Sequence, residues 1–321
     1  MCRTNRLSLP IGLATIAGVT GQLQISETAP AGAQRGKAAA AVIVTVLLWA
    51  SAFVAIRGIG ETLSPAPMAL IRIAVAAAAL TILVLVRHRG SAPVPRSRRT
   101  LTLIAVYAVL WLAGYTVVLN AAERHIDAGT AALLVNIAPL LIAFGAGLFL
   151  GEGYPKALVA GSVVALGGLS IIALGSSGDR DWLGAALCVL AAVLYAAGVL
   201  VQKAALRGVD GTIAIWLGCL VATAVLLPWT PQLIAELQAA PAGAILASVY
   251  LGLFPTAIGF TTWAYALHRM PAGRLSAASY AVPVVSILLS WLLLAEIPTA
   301  YGLIGGAICL VGVAIARRSR G

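Results

Sequence analysis

From Ala38 onward the chain reads as a succession of unbroken apolar runs, each closed by a short break of Gly, Pro or charge. The runs fall at about 41–57, 66–87, 100–120, 128–150, 156–175, 182–202, 211–229, 242–265, 273–295 and 299–316. A helix of about 20 residues crosses the hydrocarbon core of a bilayer. Backbone groups inside lipid must be satisfied within the segment, and a membrane barrel would show strict alternation rather than continuous runs. The pattern therefore predicts an all-α integral membrane protein with ten transmembrane helices. Residues 1–37 stand apart: they are weakly apolar and rich in Gly, Ala and Thr. Leu7–Val19 imitates the core of a signal peptide but is broken by Pro10. The stretch reads as a disordered cytoplasmic tail or an over-extended start.

Composition agrees with lipid as the solvent. Of the 321 residues 61% are hydrophobic and 10% charged, with a mean hydropathy of +1.01. A soluble domain carries about a quarter charged residues to cover its surface. The net charge of +11 does not signal nucleic acid, because the basic residues lie between the apolar runs. With the N-terminus inside, the cytoplasmic segments hold seventeen of the 21 basic residues, among them Arg87, Arg89, Arg96, Arg98, Arg99, Lys203 and Arg207. The opposite side holds Arg57, Arg124 and Arg180, and Arg72 lies within a span. Retention of Lys and Arg on the cytoplasmic side then places both termini inside, as expected of a multi-pass protein of a bacterial cytoplasmic membrane.

The chain also repeats itself. Ala128–Gly129, Pro139, Leu150, Glu152, Gly161 and Gly168 recur at Ala272–Gly273, Pro283, Leu294, Glu296, Gly305 and Gly312, always 144 positions later. Trp49 with Arg57 matches Tyr195 with Lys203 at a separation of 146. The offset divides the ten spans into five plus five, with units at 38–176 and 177–318. A five-span unit ends on the side opposite its start, so the second copy enters the membrane inverted. Inverted repeats are a recurrent construction of secondary transporters, whose halves exchange conformations around a central site.

The halves resemble paired EamA domains of the drug/metabolite transporter superfamily over roughly residues 40–317. The resemblance is carried by Trp49-Ala50-Ser51-Ala52-Phe53, Pro65 and Arg72, Leu150-Gly151-Glu152, and Gly161 with Gly168. The second-half copies Pro283, Glu296, Gly305 and Gly312 complete it. It implies export or exchange of small metabolites such as amino acids. The second half departs from the first in keeping no equivalent of Arg72; Gly218 stands near the matching place.

Candidate functional residues follow from depth and chemistry. Arg72 is an ionisable group inside a span, at a cost of roughly 2.5 kcal/mol or more. It either meets a substrate carboxylate or serves structure, snorkelling outward or locking helices. Pro139 and Pro283 remove intrahelical hydrogen bonds at equivalent depth, which points to a midplane cavity faced by Asn136 and Tyr280. Trp49, Trp111, Tyr115, Tyr195 and Trp263 are candidates for its walls, or else interfacial anchors. Glu152 and Glu296 end spans four and nine as gating or structural groups. The glycine pairs on spans five and ten suit close packing of those helices on each other, or across a homodimer.

Catalytic and cofactor signals are missing. Cys2, Cys188, Cys219 and Cys309 form no C-x-x-C pair, and His88, His125 and His268 never cluster. No nucleotide loop, metal-binding motif or Ser/His/Asp set appears. The expectation is a transporter without cofactor, metal or catalytic residues, whose partners are a small-molecule substrate and the lipid bilayer. A membrane-embedded enzyme and a non-transporting scaffold or sensor are the alternatives.

Overall fold

The computed structural model describes residues 31–149, 156–175, 182–295 and 300–317. Every regular element among them is helical. We number the helices α1 (Ala31–Ile59), α2 (Pro65–Arg87), α3 (Arg98–Ala122), α4 (Ala128–Phe149) and α5 (Lys156–Gly175). The second set is α6 (Trp182–Ala205), α7 (Gly211–Ala239), α8 (Ala242–Arg269), α9 (Ala278–Leu294) and α10 (Ala300–Arg317). Seven of these are long and apolar enough to cross a membrane; α5, α9 and α10 contain shorter apolar stretches. Helix α1 begins at Ala31, inside the stretch read above as a tail.

Local chemistry sets the helix ends. Pro65 opens α2, where a missing N–H leaves no bond unmade. Ser97, Asp127 and Asp210 turn side-chain oxygens onto the amides of Thr100, Thr130 and Thr212. Exposed large apolar side chains such as Ile82, Leu148, Val163, Leu246 and Leu292 cover the outside, an exterior suited to lipid and not to water. The fold is that of a multi-pass membrane protein.

Two further features place the site. First, α3 and α8 are not uniform: Ala108–Tyr115 and Gly252–Ile258 widen into π-helix, and their starts lie 144 residues apart. Second, α4 is broken at Asn136–Ile137, and α9 follows the short helix Ala272–Ser276 and opens in a 3-10 turn that ends at Tyr280. Both interruptions precede the expected prolines, Pro139 and Pro283.

Packing follows a regular scheme. Helix α1 lies on α8 and α9, and α6 lies on α3 and α4; α2 lies on α7 and α8, and α7 on α2 and α3. The remaining pair, α5 and α10, make the most extensive contact in the fold. There a Cβ on Gly168 would stand 2.5 Å from the Gly305 carbonyl oxygen, and one on Gly312 would stand 2.6 Å from that of Gly161. The glycine faces expected to close on each other or across a dimer are thus used within one chain. The pairing of 168 with 305 and 161 with 312 runs the two helices antiparallel.

Candidate functional site

The centre of the bundle is an aromatic cluster assembled from four helices. Trp49 of α1 lies 4.8 Å from Trp263 and 5.4 Å from Phe260, both on α8. Trp111 of α3 stacks on Tyr195 of α6 at 5.0 Å, with Tyr115 at 5.6 Å from Tyr195. Glycine makes these approaches possible. A Cβ on Gly198 would lie 2.5 Å from the Cβ of Trp111, and one on Gly259 would lie 3.0 Å from the indole nitrogen of Trp49.

A cavity opens beside this cluster. Trp49, Arg72, Trp111, Tyr115, Asn136 and Tyr195 line it, together with Phe53, Phe260 and Ser279. Six of the predicted site residues are therefore brought together, and Trp263 stands behind Trp49. Tyr280 is not part of this wall. It lines a second, more apolar cavity between α4, α5, α9 and α10, which Asn136 and Pro283 also reach. Asn136 and Tyr280 do share a cavity, but only Asn136 reaches the aromatic one. Pro139 lines neither but sits at the break of α4. Glu152 and Glu296 lie outside the described residues.

Polar atoms of four lining residues, Trp49, Arg72, Asn136 and Tyr195, are buried without a hydrogen-bond partner among the described residues. Arg72 is 3% exposed. Its Nε donates to the Thr256 hydroxyl at 2.7 Å, and that hydroxyl donates in turn at 2.7 Å to the carbonyl of Leu251, the residue just before the π segment of α8. Because the Thr256 proton goes to Leu251, its oxygen is left to accept from the guanidinium. Arg72 Nη1 has no hydrogen-bond partner among the described residues. Asn136 Nδ2 donates to the Ala132 carbonyl at 2.7 Å, which turns Oδ1 away, and Oδ1 is buried without a partner among the described residues. A cationic donor and a neutral acceptor thus share one apolar enclosure. No group of three or more His, Cys, Asp or Glu suited to a metal occurs among the described residues.

Thr256, Phe260 and Ser279 were not singled out from sequence. Thr256 follows Pro255 in an apolar run, and that break in the run was the signal available. Ser279 stands 144 residues after Val135, which also lines the cavity, so the repeat register would have found it. The single copy of Arg72 also has a reason. At Gly218, its counterpart 146 positions on, a Cβ would meet the Tyr107 hydroxyl at 2.3 Å. The Tyr107 ring, whose hydroxyl donates to the Ala214 carbonyl, fills the space a second arginine would need. Glu123, at the end of α3, is 1% exposed, a degree of burial that its position next to a basic loop did not suggest.

Comparison with known proteins agrees with this architecture. The chain is 37% identical over 294 residues to a probable terminal-alkyne amino-acid exporter of Streptantibioticus cattleyicolor, covering 88% of this chain and 94% of that one. It is 31% identical over 271 residues to the uncharacterized transporter YdfC of Bacillus subtilis, covering 83% and 86%. A solved crystal structure superposes with a TM-score of 0.66 at 22% identity, over 88% of this chain and 96% of that one, and shares the fold. The profile of the EamA-like transporter family matches residues 36–174 and again residues 182–318, and the chain belongs to that family.

Proposed function

We propose that this protein is a secondary transporter that moves small organic metabolites, amino acids among them, out of the cell through the aromatic cavity. The observation that carries this reading is the cavity itself. It is a buried enclosure of Trp49, Trp111, Tyr195 and Phe260 with an unpaired arginine donor in its wall, between halves that each match one family unit. Large rings give contact area to an amphipathic solute, and a few polar groups orient it. The relative named as a probable amino-acid exporter supports the substrate size and the direction.

Ten spans in two inverted repeats supply the mechanism. Helices α1 to α5 exchange with α6 to α10 under the 144-residue shift, and the helix contacts described above map onto themselves under that exchange. Alternating access is then a rocking of the halves about α5 and α10, with the site open first to the cytoplasm and then outward. In this reading both termini face the cytoplasm of a bacterial inner membrane, a placement supported by the basic residues between the spans.

Counterflow tests the reading. Proteoliposomes holding the full chain and preloaded with single amino acids or related metabolites take up the labelled solute faster than empty ones. Trp111→Ala abolishes the difference while the protein remains monodisperse. A folded protein that exchanges no member of a broad panel would count against transport and favour the enzyme or scaffold alternatives.

A further inference from the structure

The central cavity has two poles. At one, Arg72 offers an unpaired, fully buried N–H on a cation. At the other, Asn136 offers a buried carbonyl oxygen at the C-terminus of the half-helix Ala128–Val135. A helix C-terminus carries partial negative charge, and it favours cations within about one turn. Pro139 adds to this pole, because a proline cannot donate to the carbonyl four residues earlier, here Val135, which lines the same cavity. Most of the other lining residues are aromatic or apolar, and Arg72 Nη1 and Asn136 Oδ1 are both buried, so neither group is weakened by water as it would be at a surface.

Resting on the transport reading, we propose that the cavity is a site for the zwitterionic head of an α-amino acid. The carboxylate takes Arg72 Nη1, the ammonium takes the Asn136 carbonyl at the end of the α4 half-helix, and the side chain lies against Trp49 and Trp111. Thr256 is the positioning residue. It holds Nε from the opposite half of the protein, which leaves Nη1 of the guanidinium for the ligand. Its hydroxyl is itself fixed by the π turn of α8 through Leu251, so the arginine's aim depends on that turn. A monocarboxylate fills one pole and an amine the other; an amino acid alone fills both. Leaving a buried polar group without its partner is the strongest basis on which a site rejects an analogue.

The test uses wild-type protein in proteoliposomes, with labelled leucine, phenylalanine or norvaline in counterflow. Each is competed by itself, by the amine that lacks its carboxyl, and by its N-acetyl derivative. The amine and the acetylated acid each compete about tenfold to a hundredfold more weakly than the amino acid. Thr256→Val, which keeps the charge of Arg72, and Arg72→Gln narrow the gap between amino acid and amine. Asn136→Leu narrows the gap between amino acid and N-acetyl derivative. Equal competition by the amine in wild type overturns the zwitterion site and leaves transport standing. Absence of flux for every probe, from folded protein, overturns the transport reading and this inference with it.

Discussion

The thiol of Cys309 donates to the carbonyl of Ala165 at 3.2 Å, and the two residues are separated by 144 positions. They are counterparts that touch, so any axis relating the halves passes between them. On either side of that pair, Gly168 meets Gly305 and Gly312 meets Gly161, again counterparts exchanged. Contact of residue i with j and of i's counterpart with j's counterpart is the signature of a two-fold interface. It occurs here within one chain.

From this contact follows a pair of equal effects and one of opposite sign. Gly168→Ala and Gly312→Ala each force a methyl group against a neighbouring backbone carbonyl. Each lowers stability by about 1–3 kcal/mol, as overpacking does. Gly167, next in the chain, has nothing within 4 Å of an added Cβ. Gly167→Ala therefore raises stability by about 0.5–1 kcal/mol through helix propensity alone. Thermal melting in detergent of the three variants checks this, and a destabilised Gly167→Ala would contradict it.

A second pair of counterparts ties helix ends together. Arg57, at the end of α1, donates to the Glu123 main-chain carbonyl at 2.9 Å at the C-terminus of α3. Lys203, near the end of α6, donates to the carbonyls of Leu267 and Met270 at the C-terminus of α8, the latter at 2.7 Å. Cations at helix C-termini meet both the dipole and orphan carbonyls. Lys203→Met is expected to lower the melting temperature by the equivalent of about 1–2 kcal/mol, with Lys203→Arg recovering most of it. The preference among transported solutes stays unchanged, because neither group lines the cavity.

Much of this was legible in the sequence for a physical reason: lipid forbids unsatisfied backbone, so apolar runs translate directly into helices. The repeat was legible through Pro, Glu and Gly, residues too constrained to match by accident in so apolar a chain. The aromatic cavity was half legible. Trp49, Trp111 and Tyr195 converge because glycines 198 and 259 let helices approach, and sequence spacing on separate helices carries no such distance. The π segments went unread, since the first leaves no compositional mark and the second only Pro255, and with them went Thr256 and its grip on Arg72. Tyr280 was placed by depth alone, and depth does not say which side of a broken helix a ring takes.

Three of the seven tryptophans sit at the site, with Trp49 at 4.8 Å from Trp263 and 5.9 Å from Trp111. A solute that enters between them changes their surroundings. Saturable change of intrinsic fluorescence on titration with transported amino acids is the expected result, with Trp111→Phe losing most of the signal. A signal retained in Trp111→Phe and lost with Trp229, which lies at the end of the 3-10 turn within α7 and does not line the cavity, would place binding elsewhere.

Orientation has its own test. In a background free of cysteine, Ser91→Cys lies in the exposed turn between α2 and α3, and Gln238→Cys lies exposed at the end of α7. Both termini inside require that a membrane-impermeant maleimide label Gln238→Cys from outside whole cells. Ser91→Cys is then labelled only in inverted vesicles. The reverse pattern would invert the whole arrangement and with it the assignment of export.

The paired prolines offer the sharpest test of rocking between inverted halves. Pro139→Ala restores an N–H that reaches the Val135 carbonyl, and Pro283→Ala restores one that reaches Ser279; both acceptors lie in the cavity wall. Each substitution straightens one broken helix and so favours the state in which that helix is straighter. Because inversion exchanges the two helices, it also exchanges inward-facing with outward-facing states. The single variants must therefore bias the protein in opposite directions, with slower exchange in both, and the double variant must return the balance towards wild type. Labelling of a cysteine placed at Leu119, in the cavity wall, from each side of the membrane reads the bias. A ligand can shift such an equilibrium only by its differential affinity for the two states, so added substrate moves both variants towards the same side and leaves the difference between them in place. If both prolines shift accessibility towards the same side, the halves do not exchange roles, and the duplication serves architecture alone.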